Sequence, residues 1–188
     1  MPEKADVRKK SRRTIWLSGA AMGVVLTIVS VLASGYMVEA TNTDTFCVSC
    51  HVMKPFQTSW KESKHGGRNS KGFQAQCVDC HLPHGSFVEY LTAKAVTGVS
   101  DVVNNMLIDP YTYDWAGAAD RNRTKFTYDN ACRKCHVDLL PKEISKGGLI
   151  AHRDYLRGNT GKKCASCHEH VGHKNMRIHT KKYFAKKK

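Results

Sequence analysis

The sequence predicts a mainly α, helix-poor chain in which one N-terminal transmembrane helix precedes a loop-rich domain. Three observations lead to this prediction. Residues 14–38 form a run of 25 residues without a charge, 17 of them apolar. All eight cysteines belong to one repeated motif. Of the 155 residues outside the apolar run and the cysteines, only 52 are apolar. Because so few apolar side chains make a poor core, something other than side chains must fill the interior.

The N-terminus predicts a retained membrane anchor. Residues 1–13 carry six basic side chains and two acidic ones. The apolar run can cross the roughly 30 Å core of a bilayer as a tilted helix, and its basic flank is expected to stay in the cytoplasm. The alternative is a cleaved signal peptide, whose apolar region is normally about 7–15 residues long. Either way, residues 39–188 are expected on the periplasmic side of a bacterial inner (cytoplasmic) membrane.

The cysteines predict four covalently attached c-type haems, numbered here by motif in chain order. Each C-x-x-C-H motif supplies two thiols for the vinyl groups of a haem and a histidine that faces the iron. A zinc site or a disulfide gives no reason for a histidine after every cysteine pair. The haems are therefore expected to form the core of the exported domain. The cysteines are Cys47, Cys50, Cys77, Cys80, Cys132, Cys135, Cys164 and Cys167, and the motif histidines are His51, His81, His136 and His168.

The spacing of the motifs indicates two dihaem halves. Their first cysteines are 30, 55 and 32 residues apart. We therefore interpret residues 47–84 and 132–173 as an internal repeat within the tetrahaem domain. Each half has one histidine between its motifs and another after the second motif. These are His65 and His84 in the first half, and His152 with His170 or His173 in the second.

The segment between the halves predicts the longest helix outside the membrane. Over residues 85–107 apolar side chains recur close to every 3.6 residues, and an Asp-Pro pair ends the pattern. Lys94 and Asp101 lie seven residues apart on the opposite stripe, and Gly98 between them leaves room for a ligand. From this pattern alone, a solvated polar face without a function is the alternative.

The histidines outside the motifs are candidate sixth ligands of haem iron. A second axial histidine gives a six-coordinate electron carrier of low potential, whereas a missing or weak ligand leaves an iron that can react. Exposure on a basic surface is the alternative for at least two of them. Met53 is also a candidate, because a sulfur ligand would raise the potential, although packing is its simpler role. The six histidines are His65, His84, His152, His170, His173 and His179.

Several segments resemble the NapC/NirT/NrfH family of membrane-anchored tetrahaem quinol dehydrogenases. These are CVSCHVM, CVDCHLPHG and KAVTGVSD, which accompany the basic N-terminus and the single span. The C-H-x-M form of the first motif and the K-A-x-x-G-x-x-D helix are most similar to NrfH, the small subunit of the cytochrome c nitrite reductase complex. The resemblance implies oxidation of menaquinol and electron transfer to a periplasmic multihaem reductase, namely a pentahaem nitrite reductase, in a hetero-oligomer.

The resemblance also implies which residues bind iron and quinol. It places Met53 at the iron of haem 1 in place of the motif histidine His51. It places Asp101 on the other side of that haem and Lys94 near the quinol pocket, where both would accept protons. The other implied ligands are His81 and His173 for haem 2, His136 and His65 for haem 3, and His168 for haem 4.

The sixth ligand of haem 4 stays open. In NrfH a lysine of the partner subunit supplies it, whereas other family members have a histidine where His152 stands. His152 could close haem 4 or, by the repeat, haem 1, and His84 is a weaker candidate. The chain is also longer than NrfH over residues 141–163, which leaves the identity of the partner open.

Charge and export limit the remaining functions. The formal net charge is +14, which suits an anionic membrane surface or an acidic partner, and a nucleic acid is not expected for an exported cytochrome. One alternative function is a general NapC/NirT-type quinol dehydrogenase that feeds nitrate or other reductases. A second is a tetrahaem electron shuttle without a quinone site, against which the span and the face with Lys94 and Asp101 count.

Overall fold

The computed structural model describes residues 3–185, and the chain it describes is helical. Among these residues there is no sheet, only one isolated antiparallel bridge between Gly66 and Gln74. The mainly α prediction is therefore confirmed. The helices are α1 (Glu3–Ala40), α2 (Asp44–Cys47), α3 (Lys54–Lys61), α4 (Val78–His81), α5 (Phe87–Leu107), α6 (Trp115–Asn122), α7 (Asp129–Cys135), α8 (Lys146–Leu156), α9 (Cys164–Cys167) and α10 (Met176–Phe184), with a 3₁₀ turn at His51–Met53.

The first compact unit ends at Asn42 and contains α1. Residues Arg13–Ala40 of this helix have a mean hydropathy of 2.2 over their most apolar window, and by length and composition they are able to cross a membrane. Three hydroxyl groups in this stretch bond back to carbonyls of the helix itself, as Thr27 Oγ1 does to the Gly23 carbonyl at 2.8 Å. Such internal bonds satisfy polar groups where no water is available. The predicted anchor, residues 14–38, lies inside this helix.

The second unit begins at Thr43 and has a small apolar core. Within it α10 packs against α3 and α6. Aromatic rings join these helices: Trp115 stacks on Phe184 at 5.4 Å between centroids and meets Phe56 edge-on at 5.5 Å. Over the described part of the chain, only six apolar side chains other than prolines are buried, and three of them are alanines. This scarcity agrees with the expectation that groups other than side chains fill the interior.

Helix α5 lies where the periodicity predicts a helix. It begins after Ser86, whose Oγ accepts the Glu89 N–H at 3.1 Å, and it ends at Leu107, before the Asp-Pro pair. None of its 21 residues is buried. Its apolar stripe is exposed: Val88, Val99 and Met106 show 72%, 66% and 78% of their surface. A stripe of this size on a long helix needs a partner outside the protein chain itself.

Candidate functional site: four haem-attachment motifs and their histidines

Short helices carry the four C-x-x-C-H motifs. Helices α4, α7 and α9 each contain the second cysteine of a motif, and α2 ends at the first cysteine of motif one. One helical turn brings residues i and i+3 to the same side, so both thiols of a motif face one ligand. None of the eight thiols, all of which lie in the described chain, is in a disulfide. Among residues 3–185 no group of three or more His, Cys, Asp or Glu side chains could hold a metal ion, as a zinc site would require.

Three motif histidines are each paired with a histidine from elsewhere in the chain. Two imidazoles that bind one metal ion from opposite sides, with metal–nitrogen bonds of about 2 Å, have centroids about 6 Å apart. All three pairs have this separation, so the residues present fit a six-coordinate iron between them. The centroid distances are 6.2 Å for His81–His173, 6.0 Å for His65–His136 and 6.0 Å for His152–His168.

Backbone carbonyls hold four of the six rings in the tautomer that leaves Nε2 free for a metal. The Nδ1 atom of His81 lies 2.7 Å from the Phe126 carbonyl, and that of His152 lies 2.7 Å from the Leu139 carbonyl. A carbonyl only accepts, so Nδ1 carries the proton and Nε2 keeps its lone pair for a metal. His65 and His173 make the same contact at 3.2 Å with the carbonyls of Val171 and Phe56, respectively.

Desolvation favours the neutral forms of His81 and His173. The surrounding protein atoms lower the pKa of His81, although its ring is exposed, and they lower the pKa of the half-buried His173 to about 4, with a smaller effect of the neighbouring His81. The neutral imidazole is the form that binds a metal.

The attachment motifs follow one another in space as they do in the chain. The side chain of Cys47 is within hydrogen-bonding reach of Cys77, and that of Cys132 within reach of Cys164. Between the halves, Lys134 of motif three forms an ion pair with Asp79 of motif two at 3.4 Å. Each motif is therefore next to the following one.

The structure reveals two positioning residues that the sequence reasoning missed. Asp44 Oδ1 accepts the backbone N–H of Cys77 at 2.8 Å, and Asp129 Oδ1 accepts that of Cys164 at 3.0 Å. Each aspartate thus ties the second motif of its half to the first. Both stand three residues before the first cysteine of their half. A comparison of the two halves residue by residue could have found this shared position.

The Asp129 carboxylate is expected to stabilise the second half. Its Oδ2 also accepts the Tyr155 hydroxyl at 2.9 Å, so Asp129→Ala leaves two donors without their acceptor. The expected cost is about 1–3 kcal/mol in the free energy of unfolding, seen as a melting temperature several degrees lower by circular dichroism. The control is Glu143→Ala, which removes an exposed carboxylate of the same half. Equal melting temperatures for the two variants would contradict this role.

Lys94 and Asp101 lie beside the first and second attachment sites. The two side chains share a face of α5: Lys94 is close enough to interact with Cys47, and Asp101 with His81. Desolvation lowers the pKa of Lys94, and it raises the pKa of Asp101, although part of that side chain is exposed. Both shifts favour the neutral forms, which makes both groups easier to protonate and deprotonate near neutral pH. A Cβ added to Gly98 would meet nothing within 4 Å, so the space expected there is open.

The first motif has no second histidine beside it. Among the described residues no ring contact joins His51 to another histidine, and its carbonyl accepts the Tyr183 hydroxyl at 3.0 Å. Met53 ends the 3₁₀ turn of this motif and is half-buried. Met53 as the ligand of haem 1, in place of His51, stays a prediction.

The remaining histidines do not face a motif histidine. His84 Nε2 lies 3.3 Å from the Val78 carbonyl, and His179 Nε2 lies 3.0 Å from Glu62. His170 lines a cavity of about 400 Å³ beside His65. The other cationic lining residues are Lys64, Arg68 and Lys174, and this basic lining suits the carboxylates of a haem.

Comparisons with known proteins identify relatives of this chain. The model of the NapC/NirT cytochrome c family, N-terminal region, matches residues 9–178. The tetraheme c-type cytochrome CymA of Shewanella oneidensis is 30% identical over 88% of this chain and 94% of that protein. The cytochrome c nitrite reductase subunit NrfH of Nitratidesulfovibrio vulgaris is 29% identical over 94% of each chain. A crystal structure of the cytochrome c nitrite reductase NrfHA complex bound to the HQNO inhibitor matches 82% of this chain and 89% of that one, at 28% identity and a TM-score of 0.54.

Proposed function

We propose that this chain, which belongs to the NapC/NirT cytochrome c family, oxidises menaquinol at the membrane and delivers the electrons to a periplasmic multihaem reductase. The chain carries four covalently attached haem c groups, one for each C-x-x-C-H motif. When bound, they supply one-electron transfer at potentials set by their axial ligands. The observation that carries the proposal is the polar face of α5 beside the first two attachment sites.

Lys94 and Asp101 form the proton-accepting part of the proposed quinol site. Oxidation of a quinol releases two electrons and two protons, so the site must accept protons close to an electron acceptor. The Lys94 Nζ and the Asp101 carboxylate project from one face of α5, with open space at Gly98 between them. In the proposed arrangement each group hydrogen-bonds one quinol hydroxyl and takes its proton. The haem sites beside Cys47 and His81 are then the nearest acceptors of the electrons.

The apolar stripe of α5 supports a position at the membrane surface. Val88, Val99, Val102 and Met106 lie on one side of the helix, and each exposes more than half of its surface. A helix with one apolar and one polar face lies in the interface between lipid and water. This position would let an apolar quinol reach Lys94 from the lipid. It also favours a quinol dehydrogenase over a shuttle without a quinone site.

The identity of the electron acceptor has two candidates. Similarity to NrfH supports a pentahaem cytochrome c nitrite reductase as the partner. The His152–His168 pair supports a general NapC/NirT-type donor instead, because this chain itself supplies two histidines at the spacing of one iron. A partner then need not donate a ligand to haem 4, so association with several reductases becomes possible.

Gentle solubilisation of native membranes tests the proposal and separates these candidates. The purified protein is assayed for bound subunits, for nitrite reduction and for oxidation of menaquinol. A tightly bound multihaem subunit with nitrite reductase activity would support the NrfH-like role. A lone tetrahaem protein that oxidises menaquinol would support the general donor. A lone protein that does not oxidise menaquinol would contradict both and leave the shuttle.

A further inference from the structure

Ser59 is the most enclosed polar side chain among the described residues of the second unit. It lies in the last turn of α3 and has no exposed surface. Its Oγ donates to the Lys174 carbonyl at 2.8 Å, and its own carbonyl accepts the Lys174 N–H at 3.1 Å. The carbonyl groups in the last turn of a helix have no hydrogen-bond partner within the helix. The Lys174 N–H therefore provides a donor for the Ser59 carbonyl, which would otherwise be buried and unpaired.

The two bonds act next to a proposed iron ligand. His173 precedes Lys174, and its Nδ1 donates to the Phe56 carbonyl of the same helix at 3.2 Å. Residues 173 and 174 are thus attached to α3 at three points, two through the Lys174 backbone and one through the His173 ring. Together the three bonds hold the His173 ring against α3.

His173 needs this attachment more than the helical second histidine, His152, does. His152 belongs to helix α8, whose regular backbone hydrogen bonds fix the position of its backbone. His173 lies in the loop between α9 and α10, and that loop ends at Asn175, which has a left-handed conformation with φ 55°. A loop without regular backbone bonds does not fix the direction of a side chain by itself.

We infer that Ser59 is a positioning residue that holds His173 as the sixth ligand of haem 2. The inference rests on the proposed His81–His173 pair, whose ring centroids are 6.2 Å apart. The hydroxyl does not touch the haem. It acts by keeping the loop in the place from which the His173 Nε2 reaches the iron, much as carbonyls and carboxylates orient the ligands of other metal sites.

The test is Ser59→Ala in the purified holoprotein, with carbon monoxide binding after reduction as the readout. Carbon monoxide binds a ferrous haem whose sixth position is open, and a dissociated His173 opens haem 2. Loss of the hydrogen bond should raise the open fraction of one haem by about tenfold over the wild type. Electron paramagnetic resonance of the oxidised protein should show the matching rise in high-spin iron, and added imidazole should reverse it.

Three further variants make the result specific. His173→Ala should open the same haem completely, and Ser59→Ala should add nothing in that background, because the ligand is already absent. Thr180→Val removes another buried hydroxyl, one that bonds only inside α10, and should leave carbon monoxide binding unchanged. A haem that stays closed in His173→Ala would overturn the ligand pair. If His173→Ala opens a haem and Ser59→Ala does not, the ligand pair stands but the role of Ser59 is overturned. Additive carbon monoxide binding in the double variant would also overturn the role of Ser59.

Hydrogen exchange of the unmodified protein provides a measurement that does not depend on a variant folding. The Lys174 N–H is bonded to the buried Ser59 carbonyl and should exchange slowly compared with that of Gly172 in the same loop. Equal exchange of the two amides would contradict the attachment.

Discussion

Lys94→Leu is expected to lower the rate of menaquinol oxidation by at least about 100-fold while all four haems stay attached. Leucine keeps much of the side-chain volume but cannot accept a proton or a hydrogen bond. The substitution lies outside every C-x-x-C-H motif, so haem attachment should not change. The measurement is menaquinol-dependent haem reduction by stopped-flow absorbance, with haem content taken from the pyridine haemochrome spectrum.

Two companion variants separate proton acceptance from charge. Lys94→Arg keeps the positive charge, but a guanidinium does not release its proton, so it should be nearly as slow as Lys94→Leu. Lys71→Leu removes the same charge from an exposed loop and should react at the wild-type rate. Wild-type rates for Lys94→Leu would remove Lys94 from the quinol site. If Lys94→Arg reacts at the wild-type rate while Lys94→Leu is slow, the positive charge of Lys94 and not its proton acceptance supports quinol oxidation.

His152→Ala is expected to open haem 4 and to cut electron delivery to the reductase. Its ring lies 6.0 Å from that of His168, and its Nδ1 bond to the Leu139 carbonyl leaves Nε2 for the iron. Without this ligand one of the four haems should become high-spin and bind carbon monoxide. Its midpoint potential should move by more than about 59 mV, which is tenfold in a one-electron equilibrium constant. Redox titration followed by absorbance checks the shift.

The matched control for this variant is His84→Ala. The Nε2 atom of His84 already lies beside the Val78 carbonyl, so its removal should leave all spin states unchanged. Unchanged haem spectra in His152→Ala would show that haem 4 takes its sixth ligand from elsewhere. A residue of a partner subunit would then be the leading candidate, and the case for a general donor would weaken.

The sequence predicts those parts of the molecule that depend on local patterns. The 3.6-residue period and an Asp-Pro pair place α5 within two residues of its observed bounds, Phe87–Leu107. The repeated C-x-x-C-H motif predicts the haems, because the chemistry of attachment needs those residues at that spacing. The unbroken apolar run predicts the helix whose stretch Arg13–Ala40 is long enough to span a bilayer.

Long-range contacts escape such patterns. Spacing alone leaves His152 open to haem 4 or haem 1, and the fold favours haem 4 because it brings α8 to His168. Ser59 and Lys174 are 115 residues apart, and Ser59 in the sequence is an ordinary helical serine. Asp129 likewise gains its role only when Cys164 folds against it. Such residues act through tertiary packing, which composition and periodicity do not encode.

The proposed function requires that this chain itself takes electrons from menaquinol. The most direct test is to mix the purified protein, reconstituted in lipid vesicles, with menaquinol and no reductase, and to follow haem absorbance. The proposed function predicts rapid haem reduction that Lys94→Leu lacks, while dithionite reduces both proteins equally. Haems that dithionite reduces but menaquinol does not would contradict the account and leave an electron shuttle that depends on another quinol dehydrogenase.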